Sequence, residues 1–175
     1  SRDDYIYGGT GRDTVNYSRE GGANGITVSL GRFAIDSYGS LDSLFSIENV
    51  TGTEKDDGIE GDEEDNILKG EAGHDLLLGR GGSDTIEGGD GNDQIWGGSG
   101  VDRLHGDDGD DVFTGGSGND YIYGGTGRDT VDYSREGGGN GVSVILNAAN
   151  GVGIDSYGTV DDLSSIENVI GTDNG

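Results

Sequence analysis

GGDGNDQIW (Gly88–Trp96), GGSGVDRLH (Gly97–His105), GDDGDDVFT (Gly106–Thr114), GGSGNDYIY (Gly115–Tyr123) and GGTGRDTVD (Gly124–Asp132) follow one another without a gap. Apart from Asp107 in place of the second glycine, each reads G-G-x-G-x-D-x-U-x, with U a large apolar residue. In the same frame GTEKDDGIE (Gly52–Glu60), GDEEDNILK (Gly61–Lys69), GEAGHDLLL (Gly70–Leu78) and GRGGSDTIE (Gly79–Glu87) extend the run back to nine units over Gly52–Asp132. Glycines at positions 1, 2 and 4 mark a turn that needs φ > 0. The three residues after the aspartate, apolar in the middle, carry strand periodicity. The spacing predicts a six-residue turn and a three-residue strand per unit, with two units per coil. Stacked coils then form an all-β fold, a right-handed parallel β-roll of two facing sheets (a two-sheet β-helix solenoid).

Position 8 reads Ile59, Leu68, Leu77, Ile86, Ile95, Leu104, Phe113, Ile122 and Val131, all apolar in a chain that is only 29% hydrophobic. These side chains are the expected core, one residue deep. So thin an interior does not offset the entropy of ordering the repeats, and a further source of stability is required.

Position 6 supplies the candidate. It reads Asp57, Asn66, Asp75, Asp84, Asp93, Asp102, Asp111, Asp120 and Asp129. Units two apart stack on one edge of the roll. One column therefore holds Asp57, Asp75, Asp93, Asp111 and Asp129, and the other Asn66, Asp84, Asp102 and Asp120. Carboxylates stacked one coil apart repel unless a cation lies between them. A hard cation seeking six to eight oxygens suits carboxylates mixed with the carbonyls of glycine-rich turns. If each adjacent pair in a column shares one ion, up to seven Ca²⁺ sites result. The roll carries 22 acidic and 5 basic residues, net −17, which seven divalent ions would bring to −3. The first two units lack the third glycine, carry Lys55 and Glu64 there, and read as a cap, as terminal repeats often do.

The composition agrees. The 175 residues include 39 Gly and no Pro, Cys or Met, at a formal net charge of −25. Without a cation these numbers describe an expanded acidic chain. The absence of cysteine excludes disulfides and thiolate metal sites. Few basic residues argue against a nucleic-acid partner. No nucleophile elbow, HExxH or phosphate loop occurs, so no catalytic residue is assigned and the segment is not expected to be an enzyme.

The chain repeats at a second level. YSREGGANGITVSL (Tyr17–Leu30) returns as YSREGGGNGVSVIL (Tyr133–Leu146), and IDSYGSLDSLFSIENVTGT (Ile35–Thr53) as IDSYGTVDDLSSIENVIGT (Ile154–Thr172), with a three-residue insertion near Asn147–Gly151. Residues 1–16 match the end of the central roll, which places Asp4 and Asp13 at sixth positions as further candidate ligands. The expected organisation is the end of a preceding roll (1–16), a flank or cap leading into the next roll (17–51), the central roll (52–132) and a second flank, cut at the start of another roll (133–175). The flanks read as β-rich covers for the roll ends, whose strand edges would otherwise be exposed. Leu41, Leu44, Ile47 and Val50 also permit a short helix. Val50 lies nine residues before Ile59, so SIENV reads as the first strand of the coming roll. Glu48 and Glu167 then stand in an aspartate-like place, with Glu48 expected as a solvated charge and calcium binding by it the alternative. The outer face carrying Leu76, Leu78, Gln94, Trp96, Val112 and Thr114 is apolar enough to expect a cover, from a flank or a partner.

The nonapeptides, the DTVDYS exit and the SIENVxGT entry resemble the RTX (repeats-in-toxin) family, and the block-plus-flank layout resembles its tandem blocks in large exported proteins. The resemblance implies calcium as cofactor, with its aspartate ligands falling on Asp75, Asp84, Asp93, Asp102, Asp111, Asp120 and Asp129, then on Asp57 and Asn66. It also implies export from a Gram-negative bacterium through a type I secretion channel, extracellular folding on calcium, and neighbouring RTX blocks as partners within the chain. The competing readings are a polysaccharide-binding module, with Tyr121, Tyr123 and Trp96 stacking on sugars, and a spacer segment of an adhesin.

Overall fold

The computed structural model describes residues 3–135, 137–138, 143–145, 151–155 and 157–172. Most of the insertion expected near Asn147–Gly151 lies outside them. The described residues contain no helix. In chain order the strands are β1 (Tyr5–Tyr7), β2 (Thr14–Asn16), β3 (Thr27–Ser29), β4 (Phe33–Ile35), β5 (Leu41–Phe45), β6 (Asn49–Thr51), β7 (Gly58–Glu60), β8 (Ile67–Ala72), β9 (Leu76–Gly81), β10 (Thr85–Asp90), β11 (Gln94–Ser99), β12 (Arg103–Asp108), β13 (Val112–Ser117), β14 (Tyr121–Thr126), β15 (Thr130–Asp132), β16 (Ser143–Ile145), β17 (Gly151–Ile154), β18 (Val160–Ser164) and β19 (Asn168–Ile170).

From β6 to β15 successive strands fall alternately into two sheets, and each pairs in parallel with the strand two along. The register steps by 18 residues, two units: Leu68, Ile86, Leu104 and Ile122 line up in one sheet, and Ile59, Leu77, Ile95, Phe113 and Val131 in the other. This is a parallel β-roll. All nine position-8 side chains are fully buried. The core is continued at one end by Val15, Val28, Leu44 and Val50 and at the other by Tyr133 and Leu163.

The strands of the regular units are longer than the three residues expected. β8 to β14 each run six, taking in positions 1 to 3 of the following unit. Position 1 is therefore a strand residue facing inward and not a left-handed turn. Among units three to nine φ is positive at positions 2 and 4 only. The first glycine is required by space: a Cβ on Gly88 would lie 2.3 Å from Asp93 Oδ2 and 2.8 Å from the Gly106 carbonyl oxygen.

The flanks are strands, and the helix permitted over Leu41–Val50 does not form. β6 pairs in parallel with β8, aligning Val50 with Leu68 as expected of the entry strand. Between β3 and β5 the chain makes an antiparallel meander whose first strand adds to β7 and whose last adds to β1. The second flank repeats this with β16, β17 and β18, ending on β14. The first meander enters the ten-stranded sheet and the second the nine-stranded one. The reason is parity: nine units, an odd number, separate the two flanks, so equivalent strands of the two copies fall on opposite sides of the roll.

Candidate metal centre

The turns between strands hold the site. In both columns the backbone N–H of each sixth-position residue but the last donates to Oδ1 of the aspartate one coil later, from Asp57 N–H to Asp75 at 2.7 Å through to Asp111 N–H to Asp129 at 3.0 Å. The stacked carboxylates are thus locked in place by the chain. Asp75, Asp84, Asp93, Asp102, Asp111, Asp120 and Asp129 are each no more than 2% exposed. In all seven, Oδ2 is buried without a hydrogen-bond partner. A buried carboxylate oxygen left bare is strongly disfavoured.

Each of these oxygens lies against the first glycine of its own unit, within 2.5 Å of where a Cβ would stand. In the interior of the roll the first glycine of the next coil brings its carbonyl oxygen to the same place. The five sets are Asp75 with Gly88, Asp84 with Gly97, Asp93 with Gly106, Asp102 with Gly115 and Asp111 with Gly124. Among the described residues no three acidic or histidine side chains converge. Carboxylate and carbonyl oxygen, with no nitrogen or sulfur, is a donor set that suits calcium. Burial, reinforced by neighbouring carboxylates, lifts Asp75 to about 8, Asp111 and Asp120 to about 7, and Asp84 and Asp102 to about 6. Burial raises Asp93 and Asp129 as well. Neutral pH therefore sets the charge of these groups against their surroundings.

A family profile described as "RTX calcium-binding nonapeptide repeat (4 copies)" matches residues 1–19, 51–86, 60–95, 78–113 and 96–131, more than half of the chain. The chain belongs to the RTX calcium-binding nonapeptide repeat family. No curated protein matches it. Its repeats are calcium-binding structural units, and the RTX frame places the remaining expected residues as follows. Asp57 has both oxygens taken: Oδ2 accepts the Thr53 N–H at 2.6 Å, and Oδ1 accepts the Ile26 N–H at 2.7 Å and the Thr53 hydroxyl at 3.0 Å. Asn66 accepts the Asp62 N–H at 2.9 Å and donates to the Glu48 carbonyl at 3.0 Å. Asp4 is exposed. Asp13 has a buried Oδ2 without a partner, like the seven of the roll.

Two features escaped the sequence reading. Position 5 forms a second ladder in the opposite direction: His74 N–H donates to Asp56 Oδ1, Asn92 N–H to His74 Nδ1, Asp110 N–H to Asn92 Oδ1 and Arg128 N–H to Asp110 Oδ1, at 2.8–3.0 Å. The run of short acceptors at that position was the available signal. Glu48 and Glu167 are not merely solvated, because each accepts the N–H of the sixth-position aspartate before it. On the apolar outer face, Trp96 lies beneath the Arg135 guanidinium of the second flank, 5.6 Å from the ring centroid, and Thr114 is buried. Leu76 and Val112 remain 37% and 38% exposed. On the other face His105 stacks on Tyr123 and Arg103 lies over Tyr121.

Proposed function

We propose that this segment is a folding module triggered by calcium outside the cell, part of a larger protein exported by type I secretion. RTX repeats are typical of such proteins, and the physical case is independent of that association. One observation carries it: seven fully buried aspartates, each with an oxygen that no protein group satisfies. Without a cation those carboxylates stand desolvated and mutually repulsive around a core one residue deep, and the chain stays unfolded. With calcium, the binding free energy becomes folding free energy. Extracellular calcium modules commonly bind with dissociation constants of about 10⁻⁴–10⁻³ M. An affinity in that range keeps the chain extended in a low-calcium cytosol and folds it after passage. In this reading Asp75, Asp84, Asp93, Asp102, Asp111, Asp120 and Asp129 are the ligands of the central roll, while Asp57 and Asn66 are capped by the protein itself. The chain divides as the tail of one roll (1–16), a flank (17–51), a full roll (52–132) and a second flank (133–175), with adjoining RTX blocks as its nearest partners.

Circular dichroism during a calcium titration, against magnesium as control, tests this. A cooperative gain of β signal with calcium and not with magnesium is expected. A β-roll spectrum already complete in excess chelator at neutral pH would overturn the proposal.

A further inference from the structure

The two columns of aspartates end differently where the roll meets the second flank. In the column of Asp84, Asp102 and Asp120, the next acceptor is Asp161 of β18. Its Oδ1 takes the Asp120 N–H at 3.1 Å and its Oδ2 takes the Tyr133 hydroxyl at 3.0 Å. Asp161 is thus satisfied by protein groups, although Asp120 Oδ2 itself has no partner. The column of Asp75, Asp93, Asp111 and Asp129 ends instead on a carbonyl of the flank. Asp129 is fully buried and its Oδ2 has no partner. Where the next glycine carbonyl would stand, the flank supplies the carbonyl of Ser165: a Cβ on Gly124 would lie 2.0 Å from Ser165 O and 2.3 Å from Asp129 Oδ2.

The first flank has the same arrangement. A Cβ on Gly8 would lie 2.0 Å from Ser46 O and 2.8 Å from Asp13 Oδ2, which is again buried and bare. Both serines adopt the left-handed conformation, φ 52° for Ser46 and 53° for Ser165, which non-glycine residues rarely take. The glutamates two residues on hold the turn in place. Glu48 Oε2 accepts the Asp13 N–H at 2.9 Å and Glu167 Oε2 accepts the Asp129 N–H at 2.8 Å, the bond that the next aspartate's Oδ1 makes inside the roll. In the roll the first glycine and the aspartate are five residues apart. In the flank serine and glutamate are two apart, and the longer glutamate side chain spans the difference.

We infer that the last turn of each roll and the Ser-Ile-Glu segment of the following flank build a junction site for a divalent cation of the calcium class. Its oxygens are Asp129 Oδ2 and the Ser165 carbonyl at one junction, and Asp13 Oδ2 and the Ser46 carbonyl at the other, with Glu167 and Glu48 as positioning residues. The inference rests on the reading of the roll as a calcium module and extends it: the ion fastens the flank to the roll, so the flank docks only when calcium is present.

The test uses the 175-residue chain in saturating calcium. The number of bound ions is counted by equilibrium dialysis, and amide exchange is followed in β19 and in the central strands β10 to β12. Asp129→Asn and Asp13→Asn are each expected to lose one ion. Asp129→Asn is also expected to speed exchange in β19 by more than tenfold while β10 to β12 stay protected. Ser165→Pro leaves every aspartate in place but forces φ negative and withdraws the carbonyl. It is expected to lose the same single ion, and it serves if Asp129→Asn loosens the roll itself. Asp93→Asn is the control within the roll. If wild type binds calcium and Asp93→Asn loses an ion while Asp129→Asn, Asp13→Asn and Ser165→Pro lose none, the junction site is overturned and the roll reading stands. If wild type binds no calcium, both fall.

Discussion

Units one and two differ from units three to nine in the backbone at positions 2 and 4, and the difference at position 2 accounts for which carboxylates need an ion. All nine share the frame, the 18-residue register and a fully buried apolar side chain at position 8. In units three to nine position 2 is left-handed, even where it is Glu71 (φ 78°), Arg80 (φ 80°) or Asp107 (φ 70°). In units one and two Thr53 and Asp62 are not left-handed, and their N–H groups turn inward to the sixth-position side chain. Their own side chains then close the turn, the Thr53 hydroxyl accepting from Lys55 N–H and Asp62 Oδ1 from Glu64 N–H. A turn that satisfies its own aspartate has no oxygen left for a cation. A turn that withholds its N–H leaves one bare.

The largest effect expected from this contrast is in the open turns. Replacing Asp93 and Asp111 together with Ala should raise the calcium midpoint of the β signal at least about tenfold, since two stacked ligands of one column are lost. Asp57→Ala should leave the midpoint and the ion count unchanged. Its cost should be about 1–3 kcal/mol at saturating calcium, because the Ile26 and Thr53 N–H groups lose their acceptor. A matching loss of an ion in Asp57→Ala would break the comparison.

Protons offer a second, smaller test. Burial raises the carboxylates of the open turns in the fold, Asp84 and Asp102 to about 6, Asp111 and Asp120 to about 7 and Asp75 to about 8. The folded state therefore binds more protons than the unfolded chain. The resulting stabilisation is fully present below the unfolded carboxylate value of about 4 and is lost as pH rises through about 6 to 8. In excess chelator, β signal should grow on acidification and disappear toward neutral pH. Sedimentation should confirm that the acid form is monomeric, because the chain is near its isoelectric point of about 4.1 there. A flat chelator profile from pH 4 to 8 would show that repulsion and desolvation of these groups do not govern folding.

The smallest change is a gain. Thr53→Gly with Lys55→Gly restores the regular frame to the first unit and frees its second position to turn left-handed. Asp57 Oδ2 should then lose its N–H donor and the chain should bind one more calcium ion, read by equilibrium dialysis. An unchanged ion count would show that the turn angle alone does not decide occupancy.

Much of this could be read along the chain because the repeat imposes a single register. Once Ile95 is known to face inward, every ninth residue is known to do so, and Asp93 and Asp111 must stack. The same periodicity hid other features. Gly88 and Gly89 look alike in the sequence, yet the first is a strand residue denied a side chain by the Asp93 carboxylate, and the second is the left-handed turn. The ladder of Asp56, His74, Asn92 and Asp110 was not apparent because those residues share a capacity to accept hydrogen bonds and not a residue type. The hydrogen bonds that Glu48 and Glu167 accept were not apparent because they depend on a turn three residues shorter than the repeat.

Periodicity alone therefore settled the two sheets, the inward apolar line and the acidic columns, because each is a property of one unit copied along the chain. Which oxygens are left bare, how the columns end, and which sheet each flank enters depend on groups from separate segments meeting: Ile26 with Asp57, Ser165 with Asp129, Tyr133 with Asp161. Those meetings follow from where the backbone turns and from the odd number of units between flanks. They become visible only once the coils are stacked, because a carboxylate's need for a cation depends on which donors reach it in space.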